Sequence, residues 1–167
     1  MYPRCFVTLC LLAIGAALSG CASSAPSKRA APVVASQARA PEFDRGATAA
    51  SIAQQQLGVR YRYGGASPTA GFDCSGLVHY SYRRAGLQVP RTSQAQFDAA
   101  QKIALTDARP GDILFFRDQT KLSHVGIYLG QRRFVHAPSS GRAVSVGRLD
   151  NPYYREHFVA TGRLASQ

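Results

Sequence analysis

Residues 71–86, Gly-Phe-Asp-Cys-Ser-Gly-Leu-Val-His-Tyr-Ser-Tyr-Arg-Arg-Ala-Gly, hold the pattern on which the reading of the fold turns. Cys74, Leu77, Val78, Ser81 and Ala85 fall at i, i+3, i+4, i+7 and i+11. That spacing predicts one buried stripe of an amphipathic helix, closed by Gly86, with His79 and Arg83 off the stripe. Asp73 occupies the N-cap position, so Cys74 belongs to the first helical turn. Orphan N–H groups and the positive end of the helix dipole favour a thiolate there. Thiols so placed can ionise between roughly 3.5 and 7.5 instead of near 8.5. The Asp73 carboxylate opposes this, so a nearby imidazolium is needed to complete the effect.

Working outward, the other cysteines set Cys74 apart. "MYPR" followed by "CFVTLCLLAIGAAL" is a cationic start and an apolar run too short for a normal membrane span, which predicts a signal peptide over residues 1–20. Leu18-Ser19-Gly20-Cys21 resembles the lipobox of bacterial lipoproteins, and the resemblance implies lipidation of Cys21 as the new N-terminus. Ala22 in place of an aspartate resembles the class sorted to the outer membrane, facing the periplasm. Cys5 and Cys10 then leave with the signal peptide and Cys21 carries lipid, so Cys74 is the single thiol of the mature chain. One leftover cysteine in an exported domain points to an intermolecular bridge or a reactive thiol. An inert buried cysteine is the plain alternative.

Residues 21–45 comprise the lipidated cysteine and an Ala/Ser/Pro-rich linker, and residues 46–167 form one domain. Among 167 residues the net charge is +11 and the pI about 10.1; the domain alone has 15 basic and 7 acidic side chains, a net +8. A composition that is 46% hydrophobic excludes a disordered chain. The charge favours an anionic partner without selecting it. Nucleic acid is excluded as a partner by the lack of a matching motif and by the expected compartment.

"ATAASIAQQQLG", residues 47–58, reads as a helix stopped by Gly58. "TSQAQFDAA" reads as a short helix with Ser93 and Gln96 at capping-box spacing. The period then changes. "DILFF", "HVGIYLG", "RFVHA", "AVSV" and "HFVATGRL" are short, β-branched or aromatic segments between turns, and predict about five antiparallel strands. Helices first and strands afterwards give an α+β fold.

Of four histidines, two are singled out by the hairpin. A tight turn at Gly130 and Gln131 sets His124 opposite His136, on one face, with Cβ atoms about 4.5–5.5 Å apart. One imidazole can then orient the other. A one-residue slip would separate them. Gly126 on the same face is expected to leave room for a helix carrying a thiol. His79 and His157 have no such support and read as structural.

"YRYGG", "GFDCSGLV", "PRTS", "RPGDILFF", "HVGIYLG" and "FVHA", in that order, resemble the NlpC-type cell-wall peptidases, papain-like cysteine hydrolases of bacteria. The resemblance implies a papain-like fold with the catalytic cysteine at a helix N-terminus. It places the nucleophile at Cys74, the base at His124 and the orienting residue at His136. It also implies substrate contacts by Tyr61, Asp73 and Ser75, with Asp73 holding a free amino end. The implied substrate is the peptidoglycan stem peptide, commonly cut between γ-D-glutamate and meso-diaminopimelate, with no cofactor and no metal. The Cys74 N–H is a natural oxyanion donor, with the Tyr61 hydroxyl as a second. Tyr63 stands where a tryptophan is frequent. Arg91 reads as a loop arginine, and Tyr80 and Tyr82 as packing or surface aromatics.

A zinc site built from Cys74, His124 and His136 lacks a fourth ligand and the usual zinc spacings. A non-enzymatic anchored wall-binding module and an amidase or acyltransferase using the same thiol are the other rivals. A monomer is expected, held at the membrane by Cys21, with a separate activator protein kept as a further partner.

Overall fold

The computed structural model describes residues 40–119, 121–139 and 142–164. The expected signal peptide, Cys21 and most of the linker lie outside the described residues. Helix α1, Ala40–Gln54, begins inside the stretch read as linker. Its small residues Ala49, Ala50 and Ala53 are buried, and Gly58 follows at φ +86°, a left-handed conformation suited to glycine. Among the described residues no helix is long and apolar enough to cross a membrane.

Helix α2, Cys74–Arg84, starts at the N-cap Asp73 and buries Leu77, Val78 and Ser81 as the stripe requires. Tyr82 joins that face, and its hydroxyl donates to the Gly111 carbonyl. Helix α3, Ser93–Ala99, is capped by Thr92 rather than Ser93, the Thr92 hydroxyl accepting from the Ala95 N–H at 3.4 Å. The shift of one residue takes Gln96 out of the capping box. It turns inward, fully buried, and donates to the carbonyls of Ser75 and Pro90.

Strands β1 (Ala66–Ser67) and β2 (Gly71–Phe72) form a small ribbon ahead of α2. Among the described residues the main sheet has six strands where about five were expected: β3 (Gln101–Ile103), β4 (Ile113–Asp118), β5 (Lys121–Gly130), β6 (Arg133–His136), β7 (Ser145–Arg148) and β8 (Phe158–Arg163). Their order is β3-β8-β4-β5-β6-β7, antiparallel throughout. β7 begins two residues later than "AVSV" suggests. Val144 is instead held to the segment after α1, donating to Val59 O and accepting from Gly58 N–H. A fourth helix, α4 (Pro152–His157), precedes β8; Asn151 caps it and proline opens it.

Strand alternation divides the apolar residues between two faces. Ile113, Phe115, Val125, Ile127 and Val135 meet α1 and α2. Leu114, Phe116, Tyr128 and Phe134 form a second cluster with Leu149, Tyr154 and Phe158. Phe134 lies over Gly126 and Gly147, where a Cβ at either position would come within 2.6 Å of its ring. Gly126 therefore accommodates Phe134; it does not clear space for the thiol-bearing helix, which packs on the other face.

Phe134→Ala should cost about 3–5 kcal/mol, because no neighbouring side chain can fill the space over two glycines. Denaturant unfolding monitored by circular dichroism measures the loss.

Candidate active site

The site begins with the N-terminus of α2. Asp73 is extended (φ −89°, ψ 174°) and its carboxylate accepts from the Gly76 N–H at 2.6 Å. The same carboxylate accepts from Gly64 N–H at 2.8 Å, from the Ser75 hydroxyl at 3.2 Å, and from both terminal nitrogens of Arg91 at 3.0 and 2.7 Å. Arg91 also donates to the Ser75 hydroxyl oxygen and to the Gly65 carbonyl. Gly65 O receives the Asp73 N–H as well, and a Cβ on Gly76 would overlap that carbonyl. The turn at 61–65, the start of α2 and the segment before α3 are thereby joined in one polar knot.

This knot gives Asp73, Ser75 and Arg91 a structural role. A carboxylate offers about four lone-pair sites, and here five donors share them. Ser75 is buried in the same network. Arg91, read as a loop arginine, is the cation of the knot. The pattern that could have revealed it is an arginine immediately before a helix cap, opposite a buried N-cap aspartate.

Cys74 is the first residue of α2, so its N–H has no partner inside the helix. Its thiol faces a cavity of about 560 Å³, lined also by Tyr61, Ser123, His124, Arg142 and Tyr154. Burial pushes the thiol pKa up. The Val125 N–H and the helix-end amides of Ser75 and Cys74 pull it down, and the Asp73 charge adds to the rise. The helix end does not suffice, as expected, because desolvation outweighs it, and the expected imidazolium is missing because His124 is neutral at pH 7.

His124 Nε2 and His136 Nδ1 are 2.8 Å apart. They are not directly opposite, as the hairpin reading expected. The turn centres on Gln131 and Arg132, both with positive φ, and Tyr128 pairs with Phe134 while Gly130 pairs with Arg133 across a bulge. The register slips by two, an even step, so both histidines keep one face and meet diagonally. A second bulge, at Ser123, follows the Phe116–His124 pair and bends β5 where it opens on the cavity.

Tyr154 extends the pair: its hydroxyl lies 3.4 Å from His136 Nε2. Its ring meets His136 and Phe134 edge-on at 5.3 and 5.0 Å. Burial lowers His124 from 6.5 to about 4. It lowers His136 to about 3, helped by the charges of His124 and Arg142. At neutral pH both rings are neutral. Tyr154 was missed because α4 was not read, although Asn151 followed by Pro152 is an N-cap and N1 signature.

Tyr61 lines the cavity, and Tyr63 is fully outside, 89% exposed. His79 and His157 bond backbone carbonyls of Val89 and Tyr153, each at 2.7 Å, and stand outside the site. Among the described residues, no three His, Cys, Asp or Glu side chains cluster to hold a metal ion.

N-terminal helices on an antiparallel sheet, with the one thiol among the described residues at a helix N-terminus beside a histidine pair, make this a papain-like α+β fold. Residues 58–163 match the NlpC/P60 family, and the chain belongs to it. It is 39% identical to the murein DD-endopeptidase MepH of Escherichia coli over 66% of this chain and 42% of that protein. It is 41% identical to the bifunctional muramidase/DL-endopeptidase CwlT of Bacillus subtilis over 64% of this chain and 33% of that one. The chain thus spans less than half the length of either relative. A crystal structure of an NLP/P60 family protein similar to lipoprotein, from Staphylococcus aureus, superposes with a TM-score of 0.68 at 37% identity, covering 74% of this chain and 42% of that one.

Arg91→Ala should destabilise the domain by about 2–3 kcal/mol, less than a fully buried pair because Arg91 is one-third exposed; Arg91→Lys should recover only part, since an ammonium cannot fork. Urea unfolding of the two variants measures both effects.

The depressed histidines also make stability pH-dependent. The unfolded chain takes up protons near 6.5, whereas the folded one resists until about 4 and about 3. Their contribution is full above pH 6.5 and declines as pH falls toward 4. Unfolding free energies at pH 7.5 and 4.5 should differ by less in His136→Gln than in the parent.

Proposed function

We propose that the protein is a cysteine peptidase that hydrolyses peptidoglycan stem peptides with Cys74 as nucleophile, His124 as base and His136 as its orienting partner. The observation that carries this reading is the His124 Nε2–His136 Nδ1 hydrogen bond beside the cavity that Cys74 lines. With Nε2 engaged, Nδ1 is the ring nitrogen left to take a thiol proton. If His124 Nε2–H donates to His136, then His136 carries its own proton on Nε2 and donates it to the Tyr154 oxygen. That tautomer leaves His124 Nδ1 as an acceptor.

The reaction starts from a neutral thiol and a neutral imidazole. His124 removes the thiol proton as Sγ bonds to the scissile carbonyl carbon. The oxyanion is met by the Cys74 N–H, with the Tyr61 hydroxyl on the same cavity as a second donor. Collapse breaks the C–N bond, and His124 delivers its proton to the departing amine. The thioester is then hydrolysed by a water that His124 deprotonates, releasing the acid and restoring the thiol.

The proposed bond joins γ-D-glutamate to meso-diaminopimelate, in keeping with the DL-endopeptidase name of one relative; the DD-endopeptidase name of another makes the peptide cross-link the competing bond. Residues 1–21 support export and lipidation at Cys21, with the enzyme at the outer membrane facing the periplasm.

Mass spectrometry of muropeptides incubated with the purified protein and with Cys74→Ala tests this. Loss of diaminopimelate from the stem with the active protein alone supports the reading. Cleavage of cross-linked dimers alone moves the bond to the cross-link. No cleavage by either folded protein favours the wall-binding module.

A further inference from the structure

Beside the first cavity lies a second, of about 500 Å³, lined by His136, Arg142, Ser145, Arg148, Asp150 and Tyr154. His136 borders it, and Cys74 and Tyr61 do not, so it lies on the histidine side of the site. In the proposed reaction His124 protonates the leaving amine, which places this side with the leaving group.

Three charged residues of the second cavity have different standing. Arg148 and Asp150 are joined by a forked ion pair, Nη2 to Oδ2 at 2.5 Å. Arg142 lines both cavities, is exposed, and makes no ion pair among the described residues. Asp118, the acid of the first cavity, stands opposite Lys121 in the β4–β5 register. Arg142 is also held at its backbone. Its carbonyl accepts from the Tyr61 N–H at 2.8 Å, Ala143 bridges to Arg60, and Val144 donates to Val59. The side chain thus leaves a fixed backbone position and lines both cavities, and its charge adds to the burial-driven fall of the His136 pKa and opposes the burial-driven rise at Tyr154.

We infer that Arg142 is a specificity residue that binds the side-chain carboxylate of the leaving diaminopimelate, and so selects diaminopimelate stems over lysine stems. The two amino acids differ at that position by the carboxylate alone. A guanidinium forks a carboxylate through two parallel charge-assisted hydrogen bonds, and a lysine side chain offers it only an ammonium, which it repels. The backbone of the position is preorganised by the bonds to residues 59–61, so binding has only the side chain to order. This assignment rests on the stem-peptide reading above.

Calorimetric binding to the full-length Cys74→Ala protein tests it without turnover. The ligands are L-Ala-γ-D-Glu-meso-diaminopimelate, the same peptide with the side-chain carboxylate amidated, and its L-lysine counterpart. The acid should bind about 10- to 100-fold more tightly than the other two, and Cys74→Ala/Arg142→Gln should bind all three alike. A preference that survives Arg142→Gln, or equal binding of the three to Cys74→Ala, overturns the assignment and leaves the peptidase reading standing. No binding of any of them overturns both.

Discussion

The Asp73 carboxylate is the point on which the rest of the site depends. It caps α2, holds the Gly64 turn, and receives both arms of Arg91, which in turn grips the Gly65 carbonyl. A charge so nearly buried would be costly by itself, and its donors offset that cost. The return is positional. The thiol of the next residue stands at a fixed height above the sheet edge, and the turn carrying Tyr61 is tied to the same anion. Gln96 adds a neutral brace by bonding the Ser75 carbonyl from α3.

The histidines are held by a different kind of force. His136 is buried among Phe134 and Tyr154, and His124 lies against Phe116 on the same sheet face. Aromatic packing fixes ring orientation and removes water, and removal of water is what depresses both imidazoles. Cys74 therefore comes from the helix-covered side of the sheet and His124 from the aromatic side, and both line the cavity where β5 bulges at Ser123. Neither half could supply the arrangement alone.

Much of this was legible in the sequence. The stripe from Cys74 to Ala85, the Asp73 cap and the closing Gly86 are local features, set by residues within one or two turns. The histidine pairing was legible for a subtler reason. Side chains on a strand repeat every two residues, so the hairpin could slip by two, as it did, without taking His124 and His136 off a common face. What could not be read depends on distance in sequence. Arg91 reaches Asp73 across 18 positions, and Phe134 claims the space over Gly126 from the neighbouring strand. α4 was hidden because its six residues carry too little periodicity to compete with the strand that follows. Gln96 was misassigned because Thr92 and Ser93 are both good caps, and only burial of the amide decides between them.

The resting state of Cys74 follows from the balance of these forces. The helix end and the Val125 N–H favour the thiolate, yet desolvation is larger and keeps the thiol protonated. With His124 also neutral, thiol and imidazole rest uncharged, and in the proposed reaction charge separates only as the thiol attacks. In that proposed reaction substrate supplies part of the driving force, by bringing a carbonyl against the helix-end N–H groups where negative charge would develop. A protonated thiol also resists oxidation, because the thiolate is the form that oxidants attack. For a domain with a single cysteine and a proposed life in an oxidising compartment, burial thus protects the proposed nucleophile from the oxidation that the helix end alone would favour.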